Sequence, residues 1–250
     1  MERNPPAGES IHPDLLQCTN TADGSKTIYH SGLREHYHSI HGAVQESRHV
    51  FVNSGLLYFL DKNPPIYKVS PTGGDLEGAS VSILEVGFGT GLNFLLSADV
   101  CTAKYTDLEY TGIEAYPLSG EMIRHTGYDQ YVSADLWQKF TDNYDELLSS
   151  PVTLNPRCKL QVANSKLSDF QSAKQYDIIY FDAFAVAHQP EMWDETAMAH
   201  TLQFLKAGGV FVTYAITGNL KRALKTLGCK VEKAPGAPGK REMLRAVKIT

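Results

Sequence analysis

The spacing of hydrophobic positions changes character near residue 80. Residues 1–26 are rich in Pro, Gly, Ser, Thr and Asn and are expected to be irregular. Thr27-Ile-Tyr-His30 reads as a short strand, and Glu35 to Leu60 has helical character, with Val44, Val50 and Phe51 set among polar residues. Asn63-Pro-Pro65 and Ser70-Pro-Thr-Gly-Gly74 are turn or linker signals. Beyond them, short apolar runs alternate with helical patterns. Strands are expected at Val81–Val86, Leu108–Glu114, Cys158–Val162, Tyr176–Asp182 and Gly208–Tyr214. Helices are expected from Leu92 to about Val100, from Pro117, from Trp193 to Leu205 and from Asn219 to Leu227, the last closed by Gly228. Cys229–Lys233 and Glu242–Ile249 suit a closing hairpin. Such alternation predicts an α/β fold, doubly wound and Rossmann-like, with a mostly parallel sheet and helices on both faces. Residues 1–75 read as an N-terminal extension or cap and residues 76–250 as the main domain.

Composition narrows the class. The chain has 250 residues, 42% of them apolar and 20% charged, as in an ordinary globular protein. No apolar run approaches the roughly 20 residues that a membrane span needs. The N-terminus lacks the apolar core of a secretory signal. Cys18, Cys101, Cys158 and Cys229 are scattered, so neither a disulfide framework nor a metal site is expected, and the chain is expected in the cytoplasm. His30, His36, His38, His41 and His49 cluster without matching partners and are read as surface or lid residues rather than ligands. Net charge is −5 overall, yet from Lys206 onward ten Lys or Arg oppose only Glu232 and Glu242, a net of +8 that leaves −13 for the rest. That asymmetry points to a polyanionic partner or to a solvated basic face.

The strongest chemical signal is Glu85-Val-Gly87-Phe-Gly89-Thr-Gly91, where a strand turns into a helix. Its spacing is G-x-G-x-G, not the G-x-G-x-x-G that seats a pyrophosphate on a helix N-terminus. An acidic residue just before the turn would repel a pyrophosphate but suits an ammonium group. The expected ligand is therefore S-adenosylmethionine, with Glu85, Gly87, Gly89, Gly91 and Asn93 in its site. Glu114, at the end of the second strand, is placed to accept the ribose hydroxyls, and Asn164, after the third, to accept from the adenine amino group. Asp182 ends the fourth strand and faces the same crevice. It would orient an amine and take the proton released after methyl transfer.

Several separated stretches resemble the methyltransferase part of the MnmC family of tRNA-modifying enzymes, which also occurs alone. They are Tyr37-His-Ser-Ile-His-Gly-Ala-Val-Gln-Glu-Ser-Arg-His-Val-Phe51, Leu84-Glu-Val-Gly-Phe-Gly-Thr-Gly-Leu-Asn-Phe94, Phe181-Asp-Ala-Phe-Ala185, Gln189-Pro-Glu-Met-Trp193 and Gly239-Lys-Arg-Glu-Met-Leu244. The resemblance implies methylation of the aminomethyl nitrogen of 5-aminomethyl(-2-thio)uridine at the tRNA wobble position, with S-adenosylmethionine as donor. It places the family's aspartate on Asp182 and a substrate-side aromatic on Phe184. It puts Lys240 and Arg241 near the substrate entrance, against the anticodon loop. Ala183, Val186 and Gln189 depart from the family's Gly, Pro and Asn. The flavin domain of bifunctional relatives has no counterpart in 250 residues, so no flavin is expected. Other readings of the residues are a methyl or aminopropyl transferase acting on a small amine, a non-catalytic cofactor- or tRNA-binding module and, more distantly, an NAD-dependent dehydrogenase.

Overall fold

A computed structural model describes residues 15–64 and 79–249. The linker signal at Ser70–Gly74 lies outside them. The first described elements are β1 (Leu16–Asn20), β2 (Lys26–His30) and β3 (Glu35–His36), a small antiparallel sheet in the order β1-β2-β3. The irregular expectation for residues 1–26 therefore fails over β1, where ladder pairing with β2 outweighs weak local propensity.

The helix expected from Glu35 begins only at Ala43. It runs as α1 (Ala43–Ser47), a π-helical segment Arg48–Leu57 and α2 (Tyr58–Lys62). Its start is capped from another segment. The β1–β2 turn offers Asp23 Oδ2 to Gln45 N at 2.9 Å and Ser25 Oγ to Val44 N at 3.2 Å. These satisfy N–H groups that a helix start leaves open. Buried positions on this helix include Val44, Ser47, Phe51, Leu56 and Leu60, at steps of three to five residues. Glu46 and Ser47 are buried with them. Segment 35–49 is thus no purely polar outer layer.

The main sheet has eight strands: β4 (Ser80–Val86), β5 (Asp107–Glu114), β6 (Val152–Asn155), β7 (Cys158–Asn164), β8 (Tyr176–Phe181), β9 (Leu205–Thr213), β10 (Cys229–Pro235) and β11 (Glu242–Lys248). Their spatial order is β10-β11-β9-β8-β4-β5-β7-β6. The five strands β9-β8-β4-β5-β7 are parallel, while β6, β10 and β11 join antiparallel. Val81 to Val86 are all buried, as a central strand covered on both faces requires. α3 (Leu92–Ala103), the π-helical segment and α5 (Ala134–Asp142) cover one face, and α7 (Glu195–Leu202) and α8 (Gly218–Thr226) the other.

Local capping explains the shifted boundaries. The helix expected from Pro117 is α4 (Gly120–His125), started by Ser119, whose hydroxyl accepts from Met122 N at 3.2 Å. The helix expected from Trp193 is α7, started by Asp194, which accepts from Ala197 N at 2.7 Å. α6 (Tyr144–Leu147) and β6 were not among the expected elements. Among the described residues no helix is long and apolar enough to cross a membrane.

The π-helical segment and the sheet meet most closely at Gly55. A Cβ there would sit 2.9 Å from Tyr180 and 3.0 Å from Val212, both fully buried. Gly55→Ala is expected to destabilise the fold by about 1–3 kcal/mol, because a packed core yields poorly to an added carbon. Equilibrium denaturant unfolding of the two proteins measures it.

Candidate active site

Chain order reverses at β4: β5 and β7 lie on one side, β8 and β9 on the other. Such a reversal leaves a crevice at the carboxyl ends of the strands. The loops after β4 and β8 meet there. Gly87 has φ 84°, and a Cβ on it would fall 2.6 Å from the Asp182 carbonyl oxygen. Only glycine allows this approach. A cavity of about 630 Å³ opens beside the contact, lined among others by Gly87, Gly89, Glu114, Asp182, Phe184 and Met192.

Glu114 ends β5 at the cavity wall. Its Oε2 accepts from Gly89 N at 2.9 Å and its Oε1 from Tyr116 N at 3.0 Å. Burial pushes its carboxyl up, while these N–H groups pull it back. Each oxygen retains a lone pair for a ligand hydroxyl.

Asp182 follows β8, held by its own N–H to Val86 O at 2.9 Å. Its side chain is 10% exposed, and its Oδ2 accepts from Asn93 Nδ2 at 2.8 Å. Burial pushes the Asp182 carboxyl up to about 8; Glu46 adds to the shift, and the Asn93 bond and Lys240 oppose it. The next residue but one, Phe184, is fixed by a polar loop. Its N–H donates to Gln189 Oε1 at 3.1 Å and its carbonyl accepts from Trp193 Nε1 at 2.8 Å.

Several expected site residues stand elsewhere. Glu85 is fully buried and does not line the cavity. Its oxygens accept from Asn93 Nδ2 at 2.7 Å and Tyr110 Oη at 2.8 Å, and burial and the nearby Asp182 hold its carboxyl well above the usual range. Asn93 is 1% exposed and touches Asp182, not the cavity. Gly91 also lies off the wall: with φ 74° it starts α3, and a Cβ there would meet Phe140 at 2.7 Å. Asn164 is exposed at the end of β7, and Ser165, Lys166 and Leu167 line the cavity in its place. Lys240 does not stand free at an entrance. Its Nζ pairs with the buried Glu46 at 2.6 Å and lies 4.1 Å from the Tyr214 ring centroid. Arg241 is exposed, with no ion pair among the described residues.

The histidines divide as well. His30 and His38 are buried, 3% and 7% exposed, and both line the cavity. The residues that pattern reading missed come from the N-terminal segment. Tyr37 packs edge-on to Phe184 with ring centroids 5.0 Å apart, and His38 Nε2 lies 4.0 Å from Asp182 Oδ2. Their signal was the Tyr37–Phe51 stretch itself, which marks a family without showing which side chains turn inward.

The cavity suits S-adenosylmethionine. Its volume is in the range of small-molecule sites, and polar groups converge on a mostly apolar wall. Gly87 and Gly89 would let the backbone approach the ligand, and Glu114 would hold the ribose hydroxyls. Among the described residues no group of three or more His, Cys, Asp or Glu could hold a metal ion. Glu114→Gln turns one acceptor into a donor facing a backbone N–H and is expected to weaken S-adenosylmethionine binding about tenfold, read by calorimetry.

Comparison with known proteins agrees with this geometry. Residues 131–249 match a family described as S-adenosyl-L-methionine-dependent methyltransferase. The chain is 31% identical over 222 residues to the bifunctional protein MnmC of Idiomarina loihiensis, covering 83% of this chain and 34% of that protein. It is 32% identical over 224 residues to MnmC of Magnetococcus marinus, covering 85% and 31%. Both carry the name tRNA 5-methylaminomethyl-2-thiouridine biosynthesis bifunctional protein. The chain spans about a third of the length of these relatives. In fold it resembles the crystal structure of MNMC2 from Aquifex aeolicus, with a TM-score of 0.67 and 23% identity over 96% of this chain and 71% of that one. A spermidine synthase from Thermotoga maritima shares the fold at a TM-score of 0.52 and 12% identity, over 97% and 72% of the two chains. The chain belongs to the S-adenosyl-L-methionine-dependent methyltransferases, in the family of the MnmC methyltransferase part.

Proposed function

We propose that this enzyme methylates the aminomethyl nitrogen of 5-aminomethyl(-2-thio)uridine at the wobble position of tRNA, in the cytoplasm. The observation that carries the reading is Asp182: a buried carboxylate at the cavity wall, beside two aromatic rings and the glycine turn. The names of the MnmC relatives support the choice of substrate. The described part of the N-terminal segment, residues 15–64, serves as the cap, since Tyr37 and His38 line the cavity beside Asp182.

S-adenosylmethionine, when bound, supplies an electrophilic methyl group on a cationic sulfur. The chain does the rest. Asp182 accepts a hydrogen bond from the amine, which turns the nitrogen lone pair away from the carboxylate and toward the methyl donor. As the nitrogen takes the methyl group from the sulfonium, Asp182 would accept the proton that the nitrogen loses. Alignment inside the closed cavity contributes most of the acceleration. Tyr37 and Phe184 flank the base, which reaches the site only when splayed out of its loop. Arg241 contacts phosphate from the exposed loop between β10 and β11.

Methyl transfer from labelled S-adenosylmethionine to tRNA carrying aminomethyl-uridine tests this. Asp182→Asn is expected to lower turnover roughly 10²- to 10⁴-fold, the usual contribution of a positioned base. Wild-type turnover rises with pH through about 8 as Asp182 ionises, and the variant loses that limb. The same group sets a stability trend. A raised carboxyl stabilises the fold below its unfolded value near ~4 and loses that contribution as pH rises through the folded value. Asp182→Asn should therefore gain in thermal midpoint over wild type above pH 8 while losing activity. Labelling of a free polyamine instead of tRNA would move the substrate to small amines.

Arg241→Glu is expected to weaken tRNA binding and to flatten its salt dependence by about one counterion, as read from affinity against salt concentration. Unchanged affinity removes Arg241 from the RNA contact.

A further inference from the structure

His38 lines the cavity beside Asp182, yet the reaction derived above gives it no task. Its side chain is 5% exposed, and its backbone is fixed by the N–H to Thr27 Oγ1 at 2.9 Å. Nε2 faces Asp182 Oδ2 at 4.0 Å, too far for a hydrogen bond. Nδ1 is buried with no hydrogen-bond partner among the described residues. Burial pulls the imidazole down to about 4, so the ring is neutral and carries one proton. A buried N–H without an acceptor is rarer and costlier than a bare lone pair. The proton therefore belongs on Nε2, pointing into the cavity, and the lone pair stays on Nδ1.

The cavity wall thus presents an acceptor, Asp182, and a donor, the Nε2–H of His38, side by side. A ligand that satisfies both must present an N–H and an oxygen acceptor close together, on substituents of neighbouring atoms. A uracil with an aminomethyl group on C5 does so, because its C4 carbonyl oxygen adjoins that group. A cytosine with the same substituent puts an amino group at C4, and two donors would then face each other. We infer that His38 is a substrate-binding residue whose Nε2–H donates to the C4 carbonyl of the pyrimidine that bears the amine, and that it selects uracil over cytosine. The inference rests on the substrate reading given above.

Anticodon stem-loops with 5-aminomethyluridine or 5-aminomethylcytidine at the wobble position test it, with wild type, His38→Leu and His38→Gln. Wild type is expected to favour uridine by about 100-fold in kcat/KM, as a site with a buried polar group discriminates. His38→Leu should lower kcat/KM on uridine roughly 10- to 100-fold and erase most of the preference, since the bond and the alignment it gives are both lost. S-adenosylmethionine affinity by calorimetry should stay within about twofold of wild type, because the bond is made to the pyrimidine. His38→Gln keeps an N–H at the same reach and should restore most of the loss. An unchanged kcat/KM in His38→Leu overturns the assignment. So does a loss matched by an equal fall in cofactor affinity, or a glutamine variant no better than leucine. Absence of a uridine preference in wild type overturns it without any variant. Failure of wild type to methylate aminomethyl-uridine overturns the substrate reading together with the inference. Normal wild-type turnover with an indifferent His38 overturns the inference alone.

Discussion

A single amide group holds the reaction centre in place. The Nδ2 of Asn93 donates to Glu85 and to Asp182, so one –NH2 serves two buried carboxyl groups on adjacent strands. Unpartnered, either carboxyl would face a large desolvation cost, whereas each hydrogen bond made to it contributes about 0.5–1.5 kcal/mol. Tyr110 completes the chain from β5 by donating to Glu85. Three strands of the sheet and the first turn of α3 are thereby tied to one point. Glu85 is in this sense a foundation for Asp182: by occupying one hydrogen of Asn93 it turns the other toward Asp182.

The N-terminal segment extends that network instead of lying over it. Its helix carries Glu46 into the core and pairs it with Lys240 from the far end of the chain. These two charges bear on Asp182 in opposite senses, Glu46 raising its carboxyl and Lys240 lowering it. Glu46 also fixes the approach to the site, since its Oε2 accepts from Ser39 N at 2.8 Å, one residue past His38. The clasp His188 Nε2–Glu35 Oε2, at 3.2 Å, joins β3 to the loop that follows Phe184. Closure of the cavity is therefore built from both ends of the sequence.

The strand ends were legible because chemistry and position agree there. Gly87 and Asp182 follow β-strands and Glu114 ends one, each strand with an unmistakable apolar run, and the fold brings such ends to one crevice. Side-chain direction was not legible. Glu85 and Gly87 are two residues apart, but one ends in the core and the other on the wall, which follows from strand register and the turn after Val86. Asn164 sits at a strand end like Glu114 yet faces solvent on a strand flanked by β6, an element that no clear pattern announced. The helical start at Ala43 escaped for another reason: its cap comes from Asp23 and Ser25, about 20 residues earlier, and local patterns hold no trace of it.

Charge is the clearest case of a sequence feature that folding redistributes. The basic C-terminal stretch would suggest a broad positive face, but much of its charge is met internally. Lys206 pairs with Asp177, Lys230 and Arg245 with Glu232, Lys233 with Glu242 and Lys240 with Glu46. Lys248 is held on the carbonyls of Leu202 and Leu205. Among the described residues, Lys221, Arg222 and Lys225 on α8 and Arg241 after β10 remain without an ion pair. α8 follows the carboxyl end of β9, on the edge of the sheet where the cavity lies. The positive charge that folding leaves unpaired is thus a short set on α8 and the β10–β11 loop, apart from the residues that line the cavity. Selection then falls to the groups inside, where a single donor or acceptor decides which base can stay.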